Sequence, residues 1–206
     1  MKTLHMPLSA EDIRDLHLGD SVLLSGVMIT ARDAAHKWMI DTYVRRTRTP
    51  AGDDEQVYAA LKDLLRGGAI YHCGPVVAGL QTKQYAFKAA GPTTSIREEP
   101  YQGEVMHHFG VRAVIGKGGM GARTLAACRE VPGVYLHAIG GAATLIAETV
   151  KRVQGVHKLE FGVPEAMWVI EVEDFPAVVT MDSHGQSLHA AIEKASHEAL
   201  EKLLTT

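Results

Sequence analysis

From Gly91 onward, short β-branched and apolar runs alternate with runs of helical period, and this alternation restricts the fold more than any other feature. Residues 112–115 predict a strand, 122–129 a helix, 134–139 a strand and 142–153 a helix. Strands that alternate with helices build α/β layers. Residues 167–172 and 177–181 predict two further strands joined as a hairpin across Glu173-Asp174-Phe175-Pro176, so the sheet should be mixed. Residues 187–204 predict an amphipathic helix with Leu188, Ile192, Ala195, Ala199 and Leu203 turned inward.

The first half carries weaker signals of the same kind. Ser9 ahead of Glu11 and Asp12 marks the N-cap of a short helix ending near Gly19. Residues 21–29 predict a buried strand, 32–44 a helix behind Thr30, 57–65 a helix and 69–73 a strand closed by Gly74-Pro75. Residues 45–54 read as an exposed loop, and 94–109 as a turn that becomes helical. No linker or repeat divides the chain, so residues 1–206 are read as one domain, with 1–15 an N-terminal arm and 187–206 a C-terminal helix.

Composition excludes several classes. Twenty-one Lys plus Arg against 24 Asp plus Glu leave a formal charge of −3, which supplies no overall attraction to nucleic acid or an anionic membrane. The longest uncharged stretch, residues 131–147, is interrupted by Pro132, Gly133, Gly140 and Gly141 and is shorter than the roughly 20 apolar residues of a membrane span. The first residues lack the form of a secretory signal, and a cytoplasmic location is the default expectation. Cys73 and Cys128 stand far apart, without metal or redox spacing, and two thiols cannot alone hold an iron–sulfur cluster that takes about four. The histidines lack metal-site spacing: there is no H-E-x-x-H, and the adjacent His107 and His108 diverge on a helix. No metal ligand is therefore assigned.

Three segments concentrate unusual chemistry. Gly116-Lys117-Gly118-Gly119-Met120-Gly121 follows a strand and opens a helix, where unpaired amides and the helix dipole can hold an anion. A dinucleotide site would need an acid after the next strand, and a mononucleotide loop would need Ser or Thr after the lysine; neither is present. An anion site with one lysine survives, beside the simpler reading of a tight turn that needs glycine. Gly91-Pro92-Thr93-Thr94-Ser95-Ile96-Arg97 places three hydroxyls before an arginine, either to cap a helix or to bind an anion. In Thr30-Ala31-Arg32-Asp33, Arg32 follows a strand end that faces ligands in α/β sheets; taken alone, it pairs with Asp33.

Together and in this order, these segments resemble the β subunit of the iron–sulfur (class I) fumarate hydratases. The likeness continues through Cys73-Gly74-Pro75, Pro164-Glu165-Ala166-Met167-Trp168 and Glu173-Asp174-Phe175-Pro176. L-tartrate dehydratase β subunits carry the same Gly91–Arg97 and Ile115–Gly119 elements. The resemblance implies a swivelling β/β/α domain with a mixed sheet flanked by helices. It implies a reversible hydro-lyase acting on a small C4 dicarboxylate, foremost fumarate or malate, with tartrate or mesaconate as alternatives. A non-catalytic anion-binding module is the rival from another class.

By the same resemblance, the [4Fe-4S] cluster sits on a partner α subunit and none is bound by this chain. A homodimer or α2β2 assembly would follow. Arg32, Arg97 and Lys117 would bind substrate carboxylates, with Thr94 and Gly118 beside them. Thr93 would be the base, and Lys117 would share in catalysis. The chain departs from the family at Glu98-Glu99, where Met and Asp are usual, at Cys73 and at Trp38.

Overall fold

A computed structural model describes residues 1–205. In chain order the elements are β1 (Lys2–His5), α1 (Ala10–Arg14), β2 (Ser21–Thr30), α2 (Asp33–Met39), α3 (Asp54–Leu65), β3 (Ala69–Tyr71), β4 (Val76–Ala78) and β5 (Ala86–Ala89). There follow α4 (Gln102–Phe109), β6 (Ala113–Gly116), α5 (Ala122–Glu130), β7 (Val134–His137), α6 (Ala143–Thr149), β8 (Val150–His157), β9 (Met167–Met181) and α7 (Leu188–Leu204). A π-helical turn, Ile40–Val44, extends α2, and a 3-10 turn, Ser95–Glu98, precedes α4.

Seven strands form a mixed sheet that closes on itself. β2, β3, β6 and β7 are parallel neighbours, and β9 runs antiparallel to both β7 and β2, completing a five-strand ring. β1 pairs in parallel with the first half of β2, so the N-terminal arm contributes a strand that its sequence did not announce. β8 pairs with the first half of β9.

Strand alternation divides the apolar residues into two cores. Leu24, Tyr71, Ile115, Leu136, Trp168 and Phe175 fill the inside of the ring. Ile29, Ile70, Val114, Tyr135 and Val169 face outward under α2, α3, α4 and α5.

Three expectations need correction. β9 is one strand, not a hairpin: at Asp174 (φ +52°) the register against β2 slips, and fully buried Phe175 resumes the pairing with Leu24. The turn-like residues there make a bulge, which bends a strand without ending it. The predicted helix 142–153 stops at Thr149, and Val150, Val153 and Val156 belong to β8, where β-branched side chains pack on a pleated face. Finally, α7 forms as predicted, but its apolar side is not turned inward: Ile192 and Leu203 are exposed, at 60% and 76%. Periodicity defines an apolar stripe and does not guarantee that the same chain covers it.

Candidate functional site

The three predicted segments meet at the C-terminal ends of the parallel strands. Beyond Tyr71 and Ile115, the last paired residues of β3 and β6, the segment after Pro92 enters the ladder. Thr93 N–H donates to the His72 carbonyl at 2.7 Å, Lys117 N–H to the Thr93 carbonyl at 3.2 Å, and Ser95 N–H to the Lys117 carbonyl at 3.0 Å. These bonds satisfy backbone groups left unpaired where the two strands part, and they fix Thr93 and Thr94 beside Lys117. A Cβ on Gly116 would lie 1.8 Å from the Ser95 hydroxyl oxygen, so only glycine lets the two segments approach this closely.

Arg32 follows β2. Its Nη1 lies 3.1 Å from Glu165 and 3.4 Å from the Pro164 carbonyl, while its Nε is buried without a partner. A Cβ on Gly74 would come within 2.5 Å of that Nη1, which gives the Cys73-Gly74-Pro75 turn its function: it leaves room for the guanidinium. Asp33 does not pair with Arg32, as the local sequence suggested. It takes Arg97 instead, through Nε–Oδ1 at 3.1 Å and Nη2–Oδ2 at 2.8 Å. Asp33 opens α2 and therefore points across to the Ser95–Glu98 turn, whereas Glu165 reaches Arg32 from the segment before β9. Both candidate carboxylate-binding arginines thus rest on carboxylates of the protein itself.

The expected anion site at the start of α5 is also filled from within. Glu99 accepts from Gly121 N–H at 2.8 Å, Arg123 N–H at 2.9 Å and the Thr124 hydroxyl at 2.6 Å. The unpaired amides of a helix start attract an anion, and here the protein supplies its own. The helix start that follows the glycine-rich motif thus holds a carboxylate of the protein itself, without the participation of Lys117.

Gly118 (φ +79°) is exposed at the loop tip, near the Thr94 methyl group. Lys117 is half-buried, its stem passes over Gly140, and its ammonium has no hydrogen bond or ion pair among the described residues. Thr94 is exposed. The Thr93 hydroxyl oxygen is buried without a partner, an arrangement that costs about 1–3 kcal/mol and needs a reason.

Sequence reasoning missed a buried polar layer beneath these loops. His36, His72, Ser95, Gln102 and Tyr135 are fully buried and linked by contacts of 2.9 Å. Burial lowers the proton affinity of both rings, pushing His72 down to about 3. Glu98 is also fully buried with both carboxylate oxygens unpartnered; burial, then the neighbouring Asp33, push it up to about 8. The only available signal was His72, a polar residue inside the otherwise apolar run 69–73; Gln102, first in the largely polar α4, gave none. Trp38 is turned away to Asp54, whose carboxylate accepts its indole N–H at 3.1 Å.

The two thiols lie in different cores, Cys73 inside the ring and Cys128 under the helices, and burial pushes each up to about 12. Among the described residues no three His, Cys, Asp or Glu side chains are grouped to hold a metal ion. Among the described residues no helix is long and apolar enough to cross a membrane.

Comparison with known proteins matches residues 2–192 to the family described as Fumarase C-terminus. A protein of Geobacillus stearothermophilus named "Putative fumarate hydratase class I" is 52% identical over 200 residues, 97% of this chain but only 36% of that protein. The chain thus spans about a third of that relative. The L(+)-tartrate dehydratase subunit beta of Escherichia coli K12 is 34% identical over 204 residues, covering 98% of this chain and 94% of that subunit.

Proposed function

The chain belongs to the Fumarase C-terminus family, and from that premise we propose that it is the β subunit of a hydro-lyase that reversibly hydrates a C4 dicarboxylate, foremost fumarate. The observation that carries the reading is the ladder joining Thr93 and Thr94 to Lys117, which brings together on adjacent backbone a residue whose buried hydroxyl is unpartnered and one whose ammonium is unpaired. Identity of 52% to a protein named for fumarate hydration supports fumarate as substrate. The match over 94% of a tartrate dehydratase subunit favours tartrate as the second reading.

A dicarboxylate brings two charges that must leave water, and fixed cations offset that cost. Arg32 and Arg97 suit carboxylates because a guanidinium donates through two parallel N–H groups, while Lys117 adds a point charge. In the dehydration direction Thr93, ionised to its alkoxide under the influence of Arg97 and Lys117, accepts the proton from the carbon next to a carboxylate and returns it in hydration. The cations stabilise the charge that spreads into that carboxylate. Gly118 and Thr94 border the same loops.

The residues of this chain do not suit a [4Fe-4S] cluster: its two thiols are protonated and sealed in separate cores. The cluster is assigned to the α subunit.

Co-expression with a cluster-bearing α chain, followed by anaerobic assay on fumarate, malate, tartrates and mesaconate, tests the reading. Turnover of fumarate or malate by the complex, with Thr93→Ala reducing kcat far more than KM, is expected. A complex inactive on every diacid rejects the function, and full activity of Thr93→Ala rejects the base.

A further inference from the structure

Gln102 begins α4 and is fully buried, with one end of its carboxamide 2.9 Å from Nε2 of His36 and 2.9 Å from Nε2 of His72. Donor and acceptor rules decide which end that is. Nδ1 of His36 lies 2.9 Å from the Arg32 carbonyl oxygen, which can only accept, so Nδ1 carries the proton. Burial keeps this ring neutral, so its Nε2 offers only a lone pair.

With Oε1 between the rings, two acceptors would face each other and the Gln102 amide nitrogen would be buried without a partner. Turned by 180°, the carboxamide presents NH2, whose two hydrogens serve both rings, and leaves Oε1 in the unpartnered place, where an unsatisfied carbonyl is tolerated better than an unsatisfied N–H. His72 then carries its proton on Nδ1 and donates to the Ser95 hydroxyl oxygen at 2.9 Å. Tyr135 donates to the same oxygen at 2.9 Å and accepts from Gly119 N–H.

Every bond now has one donor and one acceptor, and the chain runs from the Arg32 carbonyl to the Gly119 amide. It touches each loop that carries a candidate residue. His36 holds the Arg32 turn, the His72 carbonyl holds Thr93 N–H, Ser95 follows Thr94, and Gly119 lies two residues beyond Lys117.

We propose that Gln102 is a positioning residue of the diacid site: its amide nitrogen, donating to His36 and His72 together, sets the spacing between the Arg32 loop and the Thr93–Arg97 loop. The functional half of this inference rests on the hydro-lyase reading; the bonding half does not.

Two measurements separate them. Imidazole 15N–1H spectra of the full chain labelled at histidine are expected to show His36 and His72 as Nδ1–H tautomers at pH 7. A proton on Nε2 of either ring overturns the bonding assignment. In the complex with the α subunit, Gln102→Met is expected to lower kcat/KM at least tenfold and to cost less than that in an Arg32→Lys background. Equal costs in the two backgrounds, or unchanged kinetics, overturn the positioning role. Should Gln102→Met fail to fold, Gln102→Glu keeps the size and reverses the donor; it must then force Nε2–H tautomers and lower kcat/KM, and wild-type kinetics would reject the role. A wild-type complex inactive on every diacid, with the tautomers as expected, removes the hydro-lyase reading and leaves the bonding assignment standing.

Discussion

Arg97 holds Asp33 through a hydrogen bond, Nε–H to Oδ1 at 3.1 Å, and an ion-pair contact, Nη2 to Oδ2 at 2.8 Å. The guanidinium is thus already engaged by a carboxylate, so a diacid must compete with Asp33 for it or share it. Asp33→Asn removes the competing charge. Affinity of the assembled protein for a C4 dicarboxylate such as succinate is expected to rise by up to about tenfold, about 1.4 kcal/mol. Because Arg97 is largely exposed, folding stability should change by less than about 1 kcal/mol. Titration calorimetry and urea unfolding check both; weaker diacid binding would show that Asp33 orients Arg97 rather than competing for it.

Glu99 carries the second internal carboxylate contact. It caps α5 through two amides and the Thr124 hydroxyl at 2.6–2.9 Å, and loss of such a cap costs about 0.5–2 kcal/mol. Glu99→Ala should therefore lower the unfolding free energy by that much, and the urea midpoint with it. The vacated helix start should then bind an external anion. Added sulfate is expected to raise the melting temperature of Glu99→Ala more than that of the wild type. Equal responses would mean that the amides are not released.

How much of this was legible depends on the length of the interaction. Strand and helix runs between Gly91 and His137 follow local periodicity and lie close to their predicted positions. Arg32, Thr93, Arg97 and Lys117 were selected by motif, and their loops share one sheet edge. What was lost depends on partners distant in sequence. Nothing near Asp33 tells it to choose Arg97, 64 residues away, over its neighbour Arg32. Nothing near Gly121 announces Glu99. The bulge at Asp174 resembles a turn because both need the same permissive residues, and only the paired β2 strand distinguishes them.

The buried layer predicts a pH dependence with two limbs. His72 is pushed down to about 3 when folded, against about 6.5 when unfolded. Below pH 6.5 the unfolded chain takes up a proton that the folded one refuses, so this ring makes stability fall as pH falls. Glu98 behaves oppositely. Its folded pKa is pushed up to about 8, so above about pH 4.5 the unfolded chain sheds a proton that the folded one retains, and stability falls as pH rises towards 8. Glu98→Gln removes the second limb. The variant should match the wild type in urea unfolding near pH 4.5 and exceed it at pH 8 by a few kcal/mol, at about 1.4 kcal/mol per pH unit. An unchanged difference between the two pH values would show that Glu98 is ionised in the fold.

The last helix offers a test of what the core requires. No side chain between Ala191 and Leu204 is buried, whereas His189, in the first turn of α7, presses its ring against Gly119. Surface residues away from caps, buried networks and packed apolar groups contribute within about 0.5 kcal/mol each way. A chain ending at Ala191 should therefore retain its urea midpoint while losing far-ultraviolet helical signal in proportion to the residues removed. It should also be more soluble, because Ile192, Leu200, Leu203 and Leu204 present exposed apolar surface. Cutting further, to Ser187, removes His189 and leaves the Gly119 backbone uncovered, so the midpoint should drop only at that second step. A loss at the first step would mean that the outer helix packs on the body of the protein in solution.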